Sequence, residues 1–462
     1  MPAELATEHS TLPLRQRAPW RVWLGEHAVL VAAVVFFTLY SGTVLRRGRT
    51  NLWFDCFARA ADRMVRHQPI HHHERDAYAY PPFMALASVP LAQLPGMSSL
   101  LAYYALNAAA GGCAIALAWR LAGAPSLVAL PRRWWLVLAA GLVIGFRYLL
   151  APLDNVQPDL ILAALVMAGV WLLWHGRDLR AAVCLGTATA MKCTPLLFAP
   201  YLVWRGRPRA ALLLVAVAVG LNLLPDLLFP QASGRSYVSD WRKMFLGGVA
   251  HSAPGDWHSD LVLNQSLGGL VQRYYRWGLA TNWRELAATQ QPLDAVTARR
   301  LQLVVLSIAA GLVALTACYG GRPWRRAAIL GPEASAPIAW SQQRTPIEAG
   351  AIVVLMLLLS PMSGKAHYAV LFLPIFLICR LHAEQRGWAI RLLAIALWLS
   401  GPLVAKDLLG KTLGDLLLAW GVTTWFAIFC WLGMGLALAR SRRDEQTAAP
   451  SASNAPVTSR AA

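Results

Sequence analysis

The chain has 462 residues, of which 57% are hydrophobic and only 14% charged, with a formal net charge of +19. A soluble domain of this length could not hide so much apolar surface, which excludes a water-soluble globular enzyme. Nor does the charge mark a nucleic-acid binder, because the basic residues fall in short clusters between apolar runs, the positive-inside pattern of a polytopic membrane protein.

The polar N-terminal segment, residues 1–27, carries Arg15, Arg17 and Arg21 and reads as cytoplasmic. The first apolar run, Ala28–Leu45, approaches the ~20 residues that a helix needs to cross hydrocarbon. It ends without a small-residue cleavage site, so it reads as a retained span and not a removed signal peptide. With the basic clusters placed on the cytoplasmic side, spans fall near 28–45, 83–120, 134–151, 157–174, 209–229, 301–319, 346–362, 368–380, 388–405 and 416–438. The expected fold is an all-α bundle of about 10–12 transmembrane helices, with amphipathic helices on its outer face. Residues 28–439 form the membrane domain, and 440–462 form a polar, disordered cytoplasmic tail rich in Ala, Ser and Thr. The twenty tryptophans, many flanking spans, suit interfacial anchoring. The seven cysteines are scattered, mostly within apolar runs, and suggest neither a disulfide framework nor a zinc site.

Two segments depart from a simple count. Pro82–Pro95 is too short to cross alone and is expected to join Leu100–Arg120 as one broken crossing. Ala181–Trp204 lies between two basic clusters and is expected to be a re-entrant hairpin bending near Lys192–Pro195, or two short spans. The outer face then receives Arg46–Pro81, the Pro152–Pro158 turn, the long loop 230–300, Ser360–His367 and Lys406–Asp415.

The first outer loop, 46–82, holds seven arginines, against the positive-inside rule. Either the other loops outvote it, or it meets an anionic head group or phosphate. Within it, Asn51–His67 reads as an amphipathic helix on the outer membrane surface, with Trp53, Phe57, Ala60, Ala61 and Met64 as its apolar stripe. Asp55 falls in the first turn, where a solvated pair with Arg59 at i, i+4 is the simplest reading. His71, His72, His73, Glu74 and Asp76 follow. Three consecutive histidines cannot all face one ion, so this stretch is a weak metal motif. Tyr80, Pro81 and Pro82 lead into the next helix.

Further along, Asn155, Gln157 and Asp159 occupy a tight outer turn, where Asp159 after Pro158 resembles a helix-start residue. Lys192 sits inside an apolar run, and an ionisable residue at such a position is a functional candidate. Asn264, Gln265 and Ser266 precede a short amphipathic patch ending at Arg273. Ser360–Tyr368 closes an apolar run and presents Lys365 and His367, donors suited to a phosphate.

Taken in order, these pieces resemble glycosyltransferase family 87, polyprenol-phosphate-dependent membrane enzymes with the GT-C fold. The resemblance rests on Asp55 after the first span, Tyr80-Pro81-Pro82, Asn155-Val-Gln157, Ala190-Met-Lys192-Cys-Thr-Pro195, Asn264-Gln-Ser-Leu267 and Ser360-Pro-Met-Ser363 followed by His367-Tyr368. Two departures stand out: Gly364-Lys365-Ala366-His367 follows the Ser-Pro element where many relatives carry Trp and a His pair, and Asn-Val-Gln replaces a Gly-Gln pattern. The resemblance implies transfer of a hexose, mannose above all, from a polyprenyl-phosphate donor to a lipid or glycan acceptor on the extracytoplasmic face of the plasma or inner membrane. It assigns Asp55 as the catalytic base. Lys192, His367 and Lys365 would hold the phosphate, and Asn264, Gln265, Asn155, Gln157 and Tyr80 would line the substrate site. A lipid phosphate carries its own activation, so no cofactor is required. The competing class is a lipid-linked sugar transporter or flippase, also a bundle with broken helices. The absence of an internal repeat and the large outer loops weigh against it.

Overall fold

The computed structural model describes residues 34–46, 48–71, 78–125, 130–246, 262–277, 293–320, 338–385, 387–402 and 406–448. His72, His73, Glu74 and Asp76, the N-terminal arginines and the tail beyond 448 lie outside these residues. Among the described residues, every regular element is helical.

The first helix, α1 (Val34–Arg46), is followed by a π-helical stretch, Trp53–Ala58, that runs into α2 (Arg59–Val65). Next come α3 (Pro82–Ala92), α4 (Met97–Leu121), α5 (Arg132–Asp154), α6 (Asp159–Trp174), α7 (Asp178–Met191), α8 (Phe198–Trp204) and α9 (Pro208–Leu228). Beyond the short α10 (Tyr237–Trp241) follow α11 (Leu267–Trp277), α12 (Ala295–Gly320), α13 (Arg344–Leu358), α14 (Phe372–Glu384), α15 (Trp388–Ser400), α16 (Lys406–Ala419) and α17 (Val422–Ala448). Among the described helices, six are long and apolar enough to cross a membrane, and shorter apolar helices pack among them. The chain is an integral, all-α polytopic membrane protein.

Proline and glycine punctuate the bundle. Pro82 and Pro208 open α3 and α9, where a missing N–H costs nothing. Gly176 and Gly206 close α6 and α8 with left-handed φ of 70° each, and the amides of Arg177 and Arg207 bond back to Leu172 and Leu202. That closing pattern satisfies end carbonyls which a membrane helix cannot leave bare. At the bundle's centre α6 packs on α4 and α7, α7 on α9, and α14 on α5 and α17. Gly141 and Gly145, one turn apart on α5, make room for the rings of Phe376 and Phe372.

The arginine-rich connections gather at one end. Arg205 and Arg344 both pair with buried Glu348 and both donate to the carbonyl of Gly320. Arg207 Nη1 donates to Asp178 Oδ1 at 2.6 Å, Arg380 to the carbonyls of Ala122 and Ile338, and Arg442 to those of Cys318 and Tyr319. The chain reverses there into α7 and α9, so Lys192 and the loop after α9 lie at the opposite end.

Several expectations shift. The chain between Pro82 and Arg120 does break, at 93–96, but α4 alone has 25 residues, enough for a full crossing. Lys406–Asp415 is helical with a break at Gly410, and α17 continues to Ala448, past the expected boundary at 440. The apolar stripe of 51–67 is buried in protein, where a membrane-surface helix would bury it in lipid. Trp53 stacks on Tyr103 with centroids 4.2 Å apart, and its indole N–H donates to Ser99 Oγ at 2.7 Å. A polar partner within reach makes this helix a lid on α3 and α4.

Candidate functional site

The site begins at the turn joining α5 to α6. Val156 takes a left-handed φ of 53° while fully buried, a costly posture for a β-branched residue. The turn brings Pro158 and then Asp159 to the start of α6, where the helix dipole favours a carboxylate. Asp159 is buried, with its side chain only 1% exposed.

Its partner comes from the hairpin. Helix α7 stops at Met191, Lys192 is extended (φ −157°, ψ 122°), and Pro195 lies in the 3-10 turn Thr194–Leu197 that leads to α8. The chain therefore bends where expected, and the bend turns Lys192 toward α6. Lys192 Nζ donates to Asp159 Oδ1 at 2.8 Å. Neither ion is tolerable alone at this depth, so each makes the other possible.

Two further groups complete the cluster. Tyr80 lays its ring under Lys192, with Nζ 5.6 Å from the centroid, and leans on Phe57 at 5.0 Å. Burial foremost, then the charge of Asp159, pushes the Tyr80 phenol well above its ordinary value, so it stays a neutral O–H donor. His367 belongs to the 3-10 segment Lys365–Leu371, which packs on α5 and α6, and it lies within electrostatic range of both Asp159 and Lys192. Its Nδ1 accepts from the Gly364 amide at 3.2 Å, which orients the ring. Lys365 is half-buried two residues earlier on the same turn.

Asn264 and Gln265 take a different place. Both are fully buried. Asn264 Nδ2 donates to the Pro361 carbonyl at 2.9 Å, and its Oδ1 accepts from the amides of Ser363 and Ser266. Gln265 donates its amide N–H to the Ser363 carbonyl and its side chain to the carbonyls of Val262 and Leu418. Buried Arg273 donates to the carbonyls of Asn264 and Ala419. This end of the long outer loop is thus a clasp on the Ser360–Ser363 turn that carries His367.

Asp55 stands apart from the cluster. Its side chain is 56% exposed and 3.5 Å from Arg59, the simple i, i+4 pair. Among the described residues no contact joins it to Asp159, Lys192 or His367, although Phe57, two positions on, touches Tyr80. Asn155 is exposed and Gln157 half-buried in the turn before Asp159. His71 is a core histidine, with Nε2 3.1 Å from the Tyr80 carbonyl and its ring against Tyr78 and Phe245.

The residue that sequence reasoning passed over is Asp159, taken for a helix-start residue. The signal that could have found it was charge balance: Lys192, deep in an apolar hairpin, needs a counter-ion. Together the ammonium, imidazole and phenol supply donors for an anionic group, held in place by a buried carboxylate.

A helical membrane bundle enclosing such a polar cluster at one end defines an integral membrane protein with ionisable groups buried among its helices. The model of glycosyltransferase family 87 matches residues 78–361, more than half of the chain, and the chain belongs to that family. It is therefore a membrane glycosyltransferase. The matched segment holds Tyr80, Asp159, Lys192 and Asn264, while Asp55 and His367 lie just outside it. Searches of curated proteins and of solved structures find no match.

Proposed function

We propose that this glycosyltransferase moves a hexose, with mannose the first candidate, from a polyprenyl-phosphate donor to a lipid or glycan acceptor on the outer face of the plasma or inner membrane. The observation that carries the reading is the Lys192 ammonium, fixed on Asp159 beside His367 at the end of the bundle opposite the arginine connections. The positive-inside rule puts those connections in the cytoplasm and the cluster outside, where a lipid-anchored donor presents its phosphate.

The step balances with the residues at hand. The acceptor hydroxyl oxygen attacks the anomeric carbon, and the bond from that carbon to the phosphate oxygen breaks with its electron pair going to the phosphate. Lys192, Lys365 and His367 offset the growing phosphate charge. Asp55 takes the proton from the acceptor hydroxyl as general base. Its exposure suits an acceptor arriving from the aqueous side. Asn155, Gln157 and Tyr80 border the sugar, whereas Asn264 and Gln265 act by holding the His367 turn.

The test is transfer by purified protein in lipid nanodiscs supplied with acceptor lipids and either polyprenyl-phosphate mannose or a nucleotide-linked mannose. The expected result is product from the lipid donor alone. Transfer from the nucleotide donor with none from the lipid would overturn the assignment.

A further inference from the structure

Asp159 offers the Lys192 ammonium only one of its two oxygens. Oδ1 accepts from Lys192 Nζ, while Oδ2 is buried and, among the described residues, receives no hydrogen bond from another residue. A buried ionised oxygen left in this state is costly, and far more so among membrane helices than at a surface. If Asp159 served only to neutralise Lys192, nothing would require the second oxygen to stand bare. Aromatic side chains gather near the pair. Tyr80 and Tyr103 both lie within electrostatic range of Asp159, and Tyr103 in turn stacks on Trp53 while Tyr80 leans on Phe57. Few polar groups set in an aromatic wall is the ordinary make-up of a pocket for a small, partly apolar ligand, and the faces of a hexose ring are such a surface. Lys192 remains 17% exposed against 1% for Asp159, so the lysine is the side from which a ligand approaches the pair.

We propose that Asp159 Oδ2 accepts one hydroxyl of the transferred hexose, so that Asp159 selects the sugar while Lys192, on its other oxygen, faces the phosphate. The inference rests on the donor reading above and deepens it. An ionised carboxylate accepts from a hydroxyl and from nothing that merely fills the same space. A donor lacking that one hydroxyl leaves the oxygen unpaired, and such sites reject the lacking analogue strongly.

The experiment is a panel of polyprenyl-phosphate hexoses, each deoxygenated at a single ring position, tested with the full-length protein and with Asp159→Asn and Asp159→Glu. The readout is kcat/KM for each donor against the parent sugar, with thermal unfolding run alongside. Wild type should reject one deoxy donor by at least about 10²-fold. Asp159→Asn should lose most of that discrimination at the same position while the others keep theirs. Asp159→Glu keeps the charge and the pairing with Lys192 but displaces the oxygen, so it should also blunt discrimination there if the amide variant does not fold. A purely structural Asp159 would lower all donors by the same factor, and that result would overturn the inference alone. Normal transfer with no deoxy position singled out would do the same. Failure of every lipid-linked hexose, the parent sugars included, would remove the donor reading and this inference with it.

Discussion

Lys192 Nζ lies 2.8 Å from Oδ1 of Asp159, a carboxylate 33 positions earlier that α6 carries to the same end of the bundle. With side-chain exposures of 17% and 1%, the pair is a partly open cation on a closed anion. Oδ1 of the anion anchors the cation, and the cation remains able to meet a ligand.

Replacing one partner should therefore be worse than replacing both. Lys192→Met strands the Asp159 carboxylate and should cost about 3–5 kcal/mol of stability. The double variant Asp159→Asn/Lys192→Met removes both charges and should recover most of that loss while sugar transfer stays abolished. Thermal unfolding in detergent, read beside a transfer assay, checks both halves. Equal stability for single and double variants would mean that the pair is not coupled.

Asp55 provides the opposite kind of test. Its exposed pair with Arg59 contributes little, on the order of 0.3–0.5 kcal/mol. Asp55→Asn should leave unfolding almost unchanged and lower kcat by about 10²–10⁴-fold, the usual share of a general base. Arg59→Gln should have a small effect by comparison. Wild-type turnover in Asp55→Asn would take the base role away from this residue.

Asn264 should act on catalysis from a distance. Asn264→Ala deletes the donor to Pro361 and the acceptor for two amides, leaving buried groups unpaired at about 1–3 kcal/mol each. Because the clasp holds the turn carrying His367, turnover should fall along with stability. Asn264→Asp keeps the acceptor oxygen and should recover part of both. If turnover falls while the donor's KM stays unchanged, positioning of His367 is the cause and not loss of a sugar contact.

Trp53 distinguishes a protein-buried lid from a lipid-facing one. Trp53→Ala should cost about 3–5 kcal/mol, as large aromatic deletions from cores do. Trp53→Phe should cost roughly 1 kcal/mol for the bond to Ser99. A lipid-facing tryptophan would tolerate both changes, and unfolding curves of the two variants separate the cases.

Much of the architecture could be read from the residues in order. Apolar runs of membrane-spanning length, the clusters of arginine between them and the proline near Lys192 required an all-helical bundle with a broken hairpin, because hydrocarbon admits no other backbone arrangement. The family resemblance was legible too, from the order in which Tyr80, Asn155, Lys192 and Asn264 stand along the chain. Tertiary structure alone decided how those residues are used. It paired Lys192 with Asp159, turned Asn264 and Gln265 into a clasp, buried the stripe of Trp53 and Phe57 in protein and left Asp55 exposed beside Arg59. Periodicity tells which residues share a face of one helix. It carries no information on which other helix that face meets, and partners for buried charges are chosen at exactly those helix-to-helix contacts.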